Sequence, residues 1–333
     1  MKTAAAALLA TLMIMAVPVP AHAAEGDVTW TVRTASNSLG ATRSSFGYDV
    51  SPGTTTKDAM VVANKGTEPV TLKVYAADGY TTDAGQLDLL AGETQSKAVG
   101  SWVRSEQSTV TVAPGKTVEL PFGITVPANA TPGDYVGGIV TSLTAADQTS
   151  NVDVERRLGI KIKLRVAGDL APALAVEDLT AGYQDGTATV SYTIHNTGNA
   201  VQTARQAVSI TGPFGWFKKD AAPVAAPPEL LPGESWKVTV PIQDVAPAVL
   251  LTATATLTPM LTDASGSTTS LEPVTATATT WAIPWTYAVL VVVLIALIVL
   301  LVVLLRKQRA RRKQREDARV REAVEQALAA ADS

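Results

Sequence analysis

Few residue types in this chain could do chemistry. Among 333 residues there is no cysteine and only two histidines, His22 and His195. The lack of thiols removes disulfide scaffolds, thiolate nucleophiles and zinc–thiolate sites. His22 falls in a segment expected to be cut off, so His195 is the single imidazole left for acid–base work. It precedes Asn196-Thr197-Gly198, a turn sequence, and no Gly-x-Ser-x-Gly nucleophile elbow accompanies it. Asp78, Asp83 and Asp88 fall in one hairpin and could hold Ca²⁺, but their spacing is not that of an EF-hand, and a solvated acidic loop has the same sequence. Carboxylates meeting from distant strands could cleave a glycoside, and nothing in the spacing singles out such a pair. The expectation is a protein that is not an enzyme and has no cofactor and no metal site.

Aromatic side chains are the other candidates, because they stack on sugar rings and anchor protein partners. Tyr75 is on the polar phase of an alternating run, and Tyr80 and Trp102 are in or beside loops. Phe214, Trp216 and Phe217 lie between Pro213 and Lys218-Lys219 in the most apolar loop of the region. That loop reads equally as an exposed binding hot spot or as a plug folded back on the end of a sandwich. Asn129-Ala130-Thr131 matches a glycosylation sequon.

The elements that would position these residues are short strands. Val118, Leu120, Phe122, Ile124 and Val126 alternate with polar neighbours, as do Val70 to Ala76, Ile160 to Val166, Ala188 to Ile194, Trp236 to Ile242 and Leu251 to Leu257. Period-two alternation marks strands with one face on a core. Turn sequences separate them, among them Asn64-Lys65-Gly66, Pro114-Gly115, Asp185-Gly186 and Pro232-Gly233. A repeat divides the region: Asn64-Lys65-Gly66 is echoed by Asn196-Thr197-Gly198. Likewise, the strand after Pro114-Gly115 is echoed by the strand after Pro232-Gly233. The predicted fold class is all-β, with two tandem immunoglobulin-like β-sandwiches over 24–167 and 168–280. Each has over 100 residues, enough for its own core without disulfides.

The flanks are of another kind. Residues 1–23 read as a signal peptide, with Lys2, an apolar run from Ala4 to Val17, and cleavage expected between Ala23 and Ala24. Residues 281–305 read as an aromatic belt and transmembrane helix. Thr286 to Leu305 carries no charge, and 20 helical residues span about 30 Å, the thickness of a bilayer core. Trp281, Trp285 and Tyr287 stand where interfacial aromatics belong, and Arg306 and Lys307 open a basic cluster that marks the cytoplasmic side. Residues 306–333 form a short basic helical tail, in which Val320, Val324 and Leu328 make a narrow stripe. From Arg306 the chain has nine basic and five acidic residues, whereas Ala24–Thr280 has seventeen basic and twenty-five acidic. The tail can attract anionic lipid, and the acidic exterior argues against nucleic acid as a partner. No Leu-Pro-x-Thr-Gly stretch precedes the span, so retention in the membrane is expected.

Several motifs occur in a telling order. Asn64-x-Gly66-x-x-Pro69-Val70 precedes Asp78-Gly79-Tyr80-Thr81-Thr82 and Gly85. Then come Ser101-Trp102, Val112-x-Pro114-Gly115, Val126-Pro127 and Pro132-Gly133-Asp134-Tyr135-Val136-Gly137-Gly138-Ile139. This order, over about Val28 to Val166, resembles the first domain of the WxL-interacting surface proteins of Gram-positive bacteria. The resemblance implies a first domain that binds peptidoglycan and a second that binds a host or partner protein. The chain has no Trp-x-Leu of its own, so it would receive such a motif from a secreted partner. The expectation is a membrane-anchored cell-surface binding protein for peptidoglycan, a secreted WxL-type protein, or both. The alternative is a single-span sensor or assembly scaffold that passes ectodomain binding to its tail.

Overall fold

The computed structural model describes residues 29–147, 152–262, 267–283 and 285–331. The expected signal peptide and its Ala23–Ala24 cleavage site lie outside them. The chain divides into two compact units, one of residues 29–80, 88–131 and 135–167, the other of residues 81–87, 132–134 and those from Gly168 on.

The first unit contains β1 (Trp30–Thr34), β2 (Phe46–Val50), β3 (Thr55–Asn64), β4 (Val70–Thr81), β5 (Leu87–Leu89), α1 (Val99–Trp102), β6 (Val103–Ser105), β7 (Thr109–Val112), β8 (Thr117–Thr125), β9 (Gly133–Asp147) and β10 (Val152–Val166). One sheet has the order β1-β3-β8-β6. The other runs β2-β10-β9-β4-β5, with β7 also on β4, and β2 joins β10 in parallel. Phe46, Met60, Leu72, Leu120, Phe122, Ile124, Ile139, Ile162 and Leu164 fill the space between them. The alternation of β8 and β10 is therefore the inward phase of a sandwich, as their sequence predicts.

The second unit holds β11 (Leu174–Gln184), β12 (Thr187–Asn196), β13 (Gln202–Thr211), β14 (Lys219–Asp220), β15 (Ser235–Ile242), β16 (Val249–Thr262), β17 (Thr268–Ser270) and β18 (Val274–Ala282), with a 3₁₀ turn at Pro213–Gly215. A sheet of order β11-β12-β15 faces one of order β14-β13-β16-β17, and β18 also pairs with β16. Val190, Ile194, Ile210, Leu230, Leu251 and Ala253 lie in its core. The predicted all-β class and paired sandwiches are thus what the chain forms. After the sandwich, α2 (Trp285–Ala331) is one unbroken helix of 47 residues. Its stretch Tyr287–Arg321 is long and apolar enough to cross a membrane, and the apolar window within it is not buried against protein.

The internal repeat has a physical basis. Asn64 is buried; its side-chain amide donates to the carbonyls of Glu68 (2.7 Å) and Val112 (2.9 Å), and its oxygen accepts from the Gly66 amide (2.8 Å). Asn196 is buried too, donating to Ala200 (2.8 Å) and Leu230 (2.9 Å) and accepting from Gly198 (3.1 Å). Each backbone amide bonds the residue after a Pro-Gly pair, Lys116 or Glu234. One buried amide side chain thus satisfies three backbone groups at a sandwich corner, which explains why Asn, Gly and the distant Pro-Gly recur together.

Candidate functional site

The Gly-Gly of the motif ending in Ile139 lies on β9, opposite Asp78 and Ala77 of β4. The two glycines face opposite sides of the sheet. A Cβ on Gly137 would come within 2.6 Å of the Ala77 carbonyl oxygen and 2.7 Å of Val99 Cβ, so α1 closes over that side. A Cβ on Gly138 would strike Leu89 Cδ1 and approach the Ile160 carbonyl oxygen to 2.9 Å, so the Leu89 side chain lies over the other. Both faces of the sheet are covered here, and only glycine leaves room for the covers.

Asp78 holds one of these covers. Its carboxylate accepts the amides of Lys97 (2.6 Å), Ala98 (2.9 Å) and Gly100 (2.8 Å), while its own amide donates to Ser96 Oγ (3.0 Å). Those oxygens satisfy the free amides at the start of α1, as a capping carboxylate does. Asp88 instead meets Arg157 Nη2 (3.8 Å) and Tyr80 Oη (3.4 Å). The three aspartates considered for Ca²⁺ therefore do not converge: Asp78 is spent on α1 and Asp88 on Arg157, and no cluster of potential metal ligands occurs among the described residues.

The predicted contact residues have different fates. Trp102 is only 9% exposed and packs on Tyr135 at 4.8 Å between ring centroids, so its ring belongs to the core rather than to a binding surface. The chain turns inward at α1, which sequence periodicity over four residues does not reveal. Tyr75 is half-buried rather than freely outward, because Gly92 lies over its ring. Burial pushes its phenol pKa up, against the opposing pull of Arg157 beside it. Arg157 is held above its ordinary value, chiefly by Tyr75. It also donates to the Leu89 carbonyl at 3.3 Å. Tyr80 is exposed. Tyr80, Asp88 and Arg157 thus form an accessible surface of ring, carboxylate and guanidinium. Phe214, Trp216 and Phe217, in the second unit, are 91%, 64% and 61% exposed, so the loop is not folded back as a plug. His195 lies on β12 with Nδ1 3.0 Å from Glu177 Oε1. Ser235 is its cross-strand partner, and no hydrogen bond joins the two side chains. Trp281, Trp285 and Tyr287 are exposed around the start of α2, as are the side chains of Arg306 and Lys307 further along it.

A polar cluster in the first unit was not anticipated. The Asp58 carboxylate, fully buried, accepts Arg43 through Nη1 (2.7 Å) and Nη2 (3.1 Å), Tyr48 Oη (2.5 Å), Asn37 Nδ2 (2.6 Å) and the Ala59 amide (2.7 Å). Burial would raise its pKa, but the hydrogen bonds, led by Arg43, outweigh it and hold the carboxyl below its ordinary range. Tyr48 is pushed well above a normal phenol, first by burial and then by the neighbouring carboxylate. Arg43 also donates to the Ala35 carbonyl, so the cluster pins the loop 35–43 to β3. The signal available in the sequence was a single one, Asp58 standing at the head of the apolar run from Ala59 to Ala63.

These features belong to two all-β, immunoglobulin-like sandwiches. Residues 31–142 match the family model of the WxL Interacting Protein, peptidoglycan binding domain, the family whose first domain the motif order resembles. No curated protein matches the chain. Among solved structures, similar ones include the class 5 fimbriae chaperone CfaA at 10% identity and TM-score 0.36, covering 74% of this chain and 98% of that one. The Pseudomonas aeruginosa CupB2 chaperone is 11% identical with TM-score 0.30 (73% and 99% covered). The E. coli chaperone DraB is 10% identical with TM-score 0.32 (75% and 98% covered).

Proposed function

We propose that this chain is a non-enzymatic surface protein, held in the cell membrane by α2 with its sandwiches outside, whose first domain binds peptidoglycan. The match of residues 31–142 to a peptidoglycan binding domain carries the reading. The surface of Tyr80, Asp88 and Arg157 supports it, because a ring face suits the apolar face of a sugar while a carboxylate and a guanidinium suit its hydroxyl and carboxylate groups. The absence of charge from Thr286 to Leu305 and the basic cluster from Arg306 support the anchoring and a cytoplasmic tail. A secreted protein bearing Trp-x-Leu is the second ligand, taken through an exposed sheet edge by strand addition.

The test is sedimentation of the full chain in detergent with insoluble purified peptidoglycan. Retention above an unrelated sandwich protein with the same anchor is expected, and Arg157→Ala should reduce it. Equal retention of the two proteins refutes glycan binding. The sensor or scaffold reading draws on the continuity of α2 from span to tail. On that reading, deleting residues 306–333 abolishes the cellular phenotype while surface display persists.

A further inference from the structure

The exposed aromatic loop of the second unit lies at the end of the sandwich from which α2 leaves. On one side of β16, Thr211 of β13 is opposite Thr252; on the other, Trp281 of β18 is opposite Leu250 and Ala282 opposite Val249. A chain continuing past Thr211 therefore moves toward the level of Val249 and Ala282, three residues or about 10 Å of strand further on. Gly212 has reached that level, since a Cβ added to it would lie 2.9 Å from Ala248 Cβ. The Gly212 amide donates to the Trp216 carbonyl and the Trp216 amide to that of Pro213, which closes the loop on itself. Phe214 and Phe217 both adopt left-handed backbone, at φ 60° and 54°. Such a conformation turns large side chains outward at a steric cost and persists where the surroundings reward it. The Phe214 and Trp216 rings stand 5.7 Å apart, and Val249, Leu250, Trp281, Ile283 and Trp285 are exposed at the same end. Lys218 and Lys219 follow at once.

We propose that Phe214, Trp216 and Phe217 insert into the phospholipid interface of the outer leaflet beside the entry point of α2. This rests on the reading of α2 as a membrane span. Three observations favour lipid as the occupant. The loop shares its end of the sandwich with the start of the span. Its residues are those that settle at the headgroup level, where a ring can be half in hydrocarbon. The flanking Lys218 and Lys219, whose ammonium groups lie 3.2 Å from Asp220 and 3.9 Å from Asp244, can lay their stems on the apolar layer. The second unit then stands on the bilayer at two places, the root of α2 and this loop.

The chain has no cysteine, so single-cysteine labelling needs no background substitutions. The full chain carrying an environment-sensitive fluorophore at Phe214→Cys, Leu294→Cys or Lys237→Cys is reconstituted in phosphatidylcholine–phosphatidylglycerol nanodiscs. Nitroxide lipids quench either at the headgroup or in mid-chain. The Leu294 label should be quenched by the mid-chain probe, and the Phe214 label by the headgroup probe at least about twofold more than the Lys237 label, as interfacial residues require. A label at Lys218→Cys keeps the three aromatics; adding Phe214→Ser and Trp216→Ser should lower its headgroup quenching. If the Leu294 label is quenched while the Phe214 label behaves as the Lys237 label does, the footing is refuted and the span stands. If the Leu294 label escapes the mid-chain probe, the span reading fails and the footing with it.

Discussion

Asn64 and Asn196 turn equivalent corners with equivalent hydrogen bonds, yet the sandwiches built on them carry different fittings. The first unit holds a buried charged cluster around Asp58, a carboxylate that caps α1, and a glycine pair covered on both faces. The second has a core of Val, Ile, Leu and Ala with the single buried ring of Tyr192, under Thr-rich outer faces, and its aromatic loop is turned out to solvent. The difference teaches where each unit keeps its specificity. Buried polar groups that must all be satisfied fix one arrangement of loops, whereas an alternating sheet of small residues is stable with little demand on its surface. The first unit fixes its loops through buried polar groups, and the second rests on apolar packing.

The largest test of that contrast is Asp58→Ala. It leaves Arg43, Tyr48 and Asn37 without their common acceptor, and loss of one partner from a buried pair costs about 3–5 kcal/mol. Hydrogen exchange on the full chain in detergent should show β2 and β3 losing protection while β12 and β16 keep theirs. The cluster also sets a pH dependence. The folded Asp58 carboxyl titrates below the value it has in the unfolded chain, so its stabilisation is complete above the unfolded pKa near ~3.9. It is lost as pH falls through the lower folded value. Acid exposure should therefore loosen β2 and β3 of the wild-type chain only below about pH 4, and the Asp58→Ala variant should lack this component.

Next come the corners. Asn64→Ala and Asn196→Ala each strand two carbonyls and one amide, at roughly 3 kcal/mol for the three groups together. Exchange should rise around β3, β7 and β8 in the first variant and around β12 and β15 in the second. A corner variant that loosens neither set would show that the shared bonds are incidental. Asp78→Ala is smaller, about 2 kcal/mol, because amides at the start of a helix can turn to water when a cap is lost. Its effect should stay local, raising proteolysis between Gln95 and Ser101.

How much of this could be read in the sequence varied with the length of the signal. The strands of β8, β10, β12 and β16 repeat their period over several residues and lie as their pattern predicts. The Asn-x-Gly and Pro-Gly repeats were visible as echoes, although their common cause, one side chain bonding residues far apart in sequence, was not. Trp102 was misplaced because α1 is four residues long and no periodicity announces it. Tyr75 has the outward phase it should have, but the chain at Gly92 returns to cover it, and such coverage is a property of tertiary structure alone. The Asp58 cluster gathers residues 37, 43, 48 and 58 from loop and strand, and a carboxylate's partners cannot be named before the fold is known.

The smallest expected effect bears most directly on the contrast between the units. Phe214 is 91% exposed, so replacing it forfeits almost no burial. Its left-handed backbone costs a residue with a Cβ about 1–2 kcal/mol. Phe214→Gly relieves that cost and gives back about 0.5–1 kcal/mol through the freer unfolded chain. The net change in the stability of the second unit should therefore lie between zero and about 1.5 kcal/mol in favour of the variant. Thermal unfolding of the full chain in detergent, without a bilayer, reads this sign. A loss of more than about 1 kcal/mol would mean that the ring supports its own sandwich, as Trp102 does in the first unit, and that the two aromatic groups are not opposites after all.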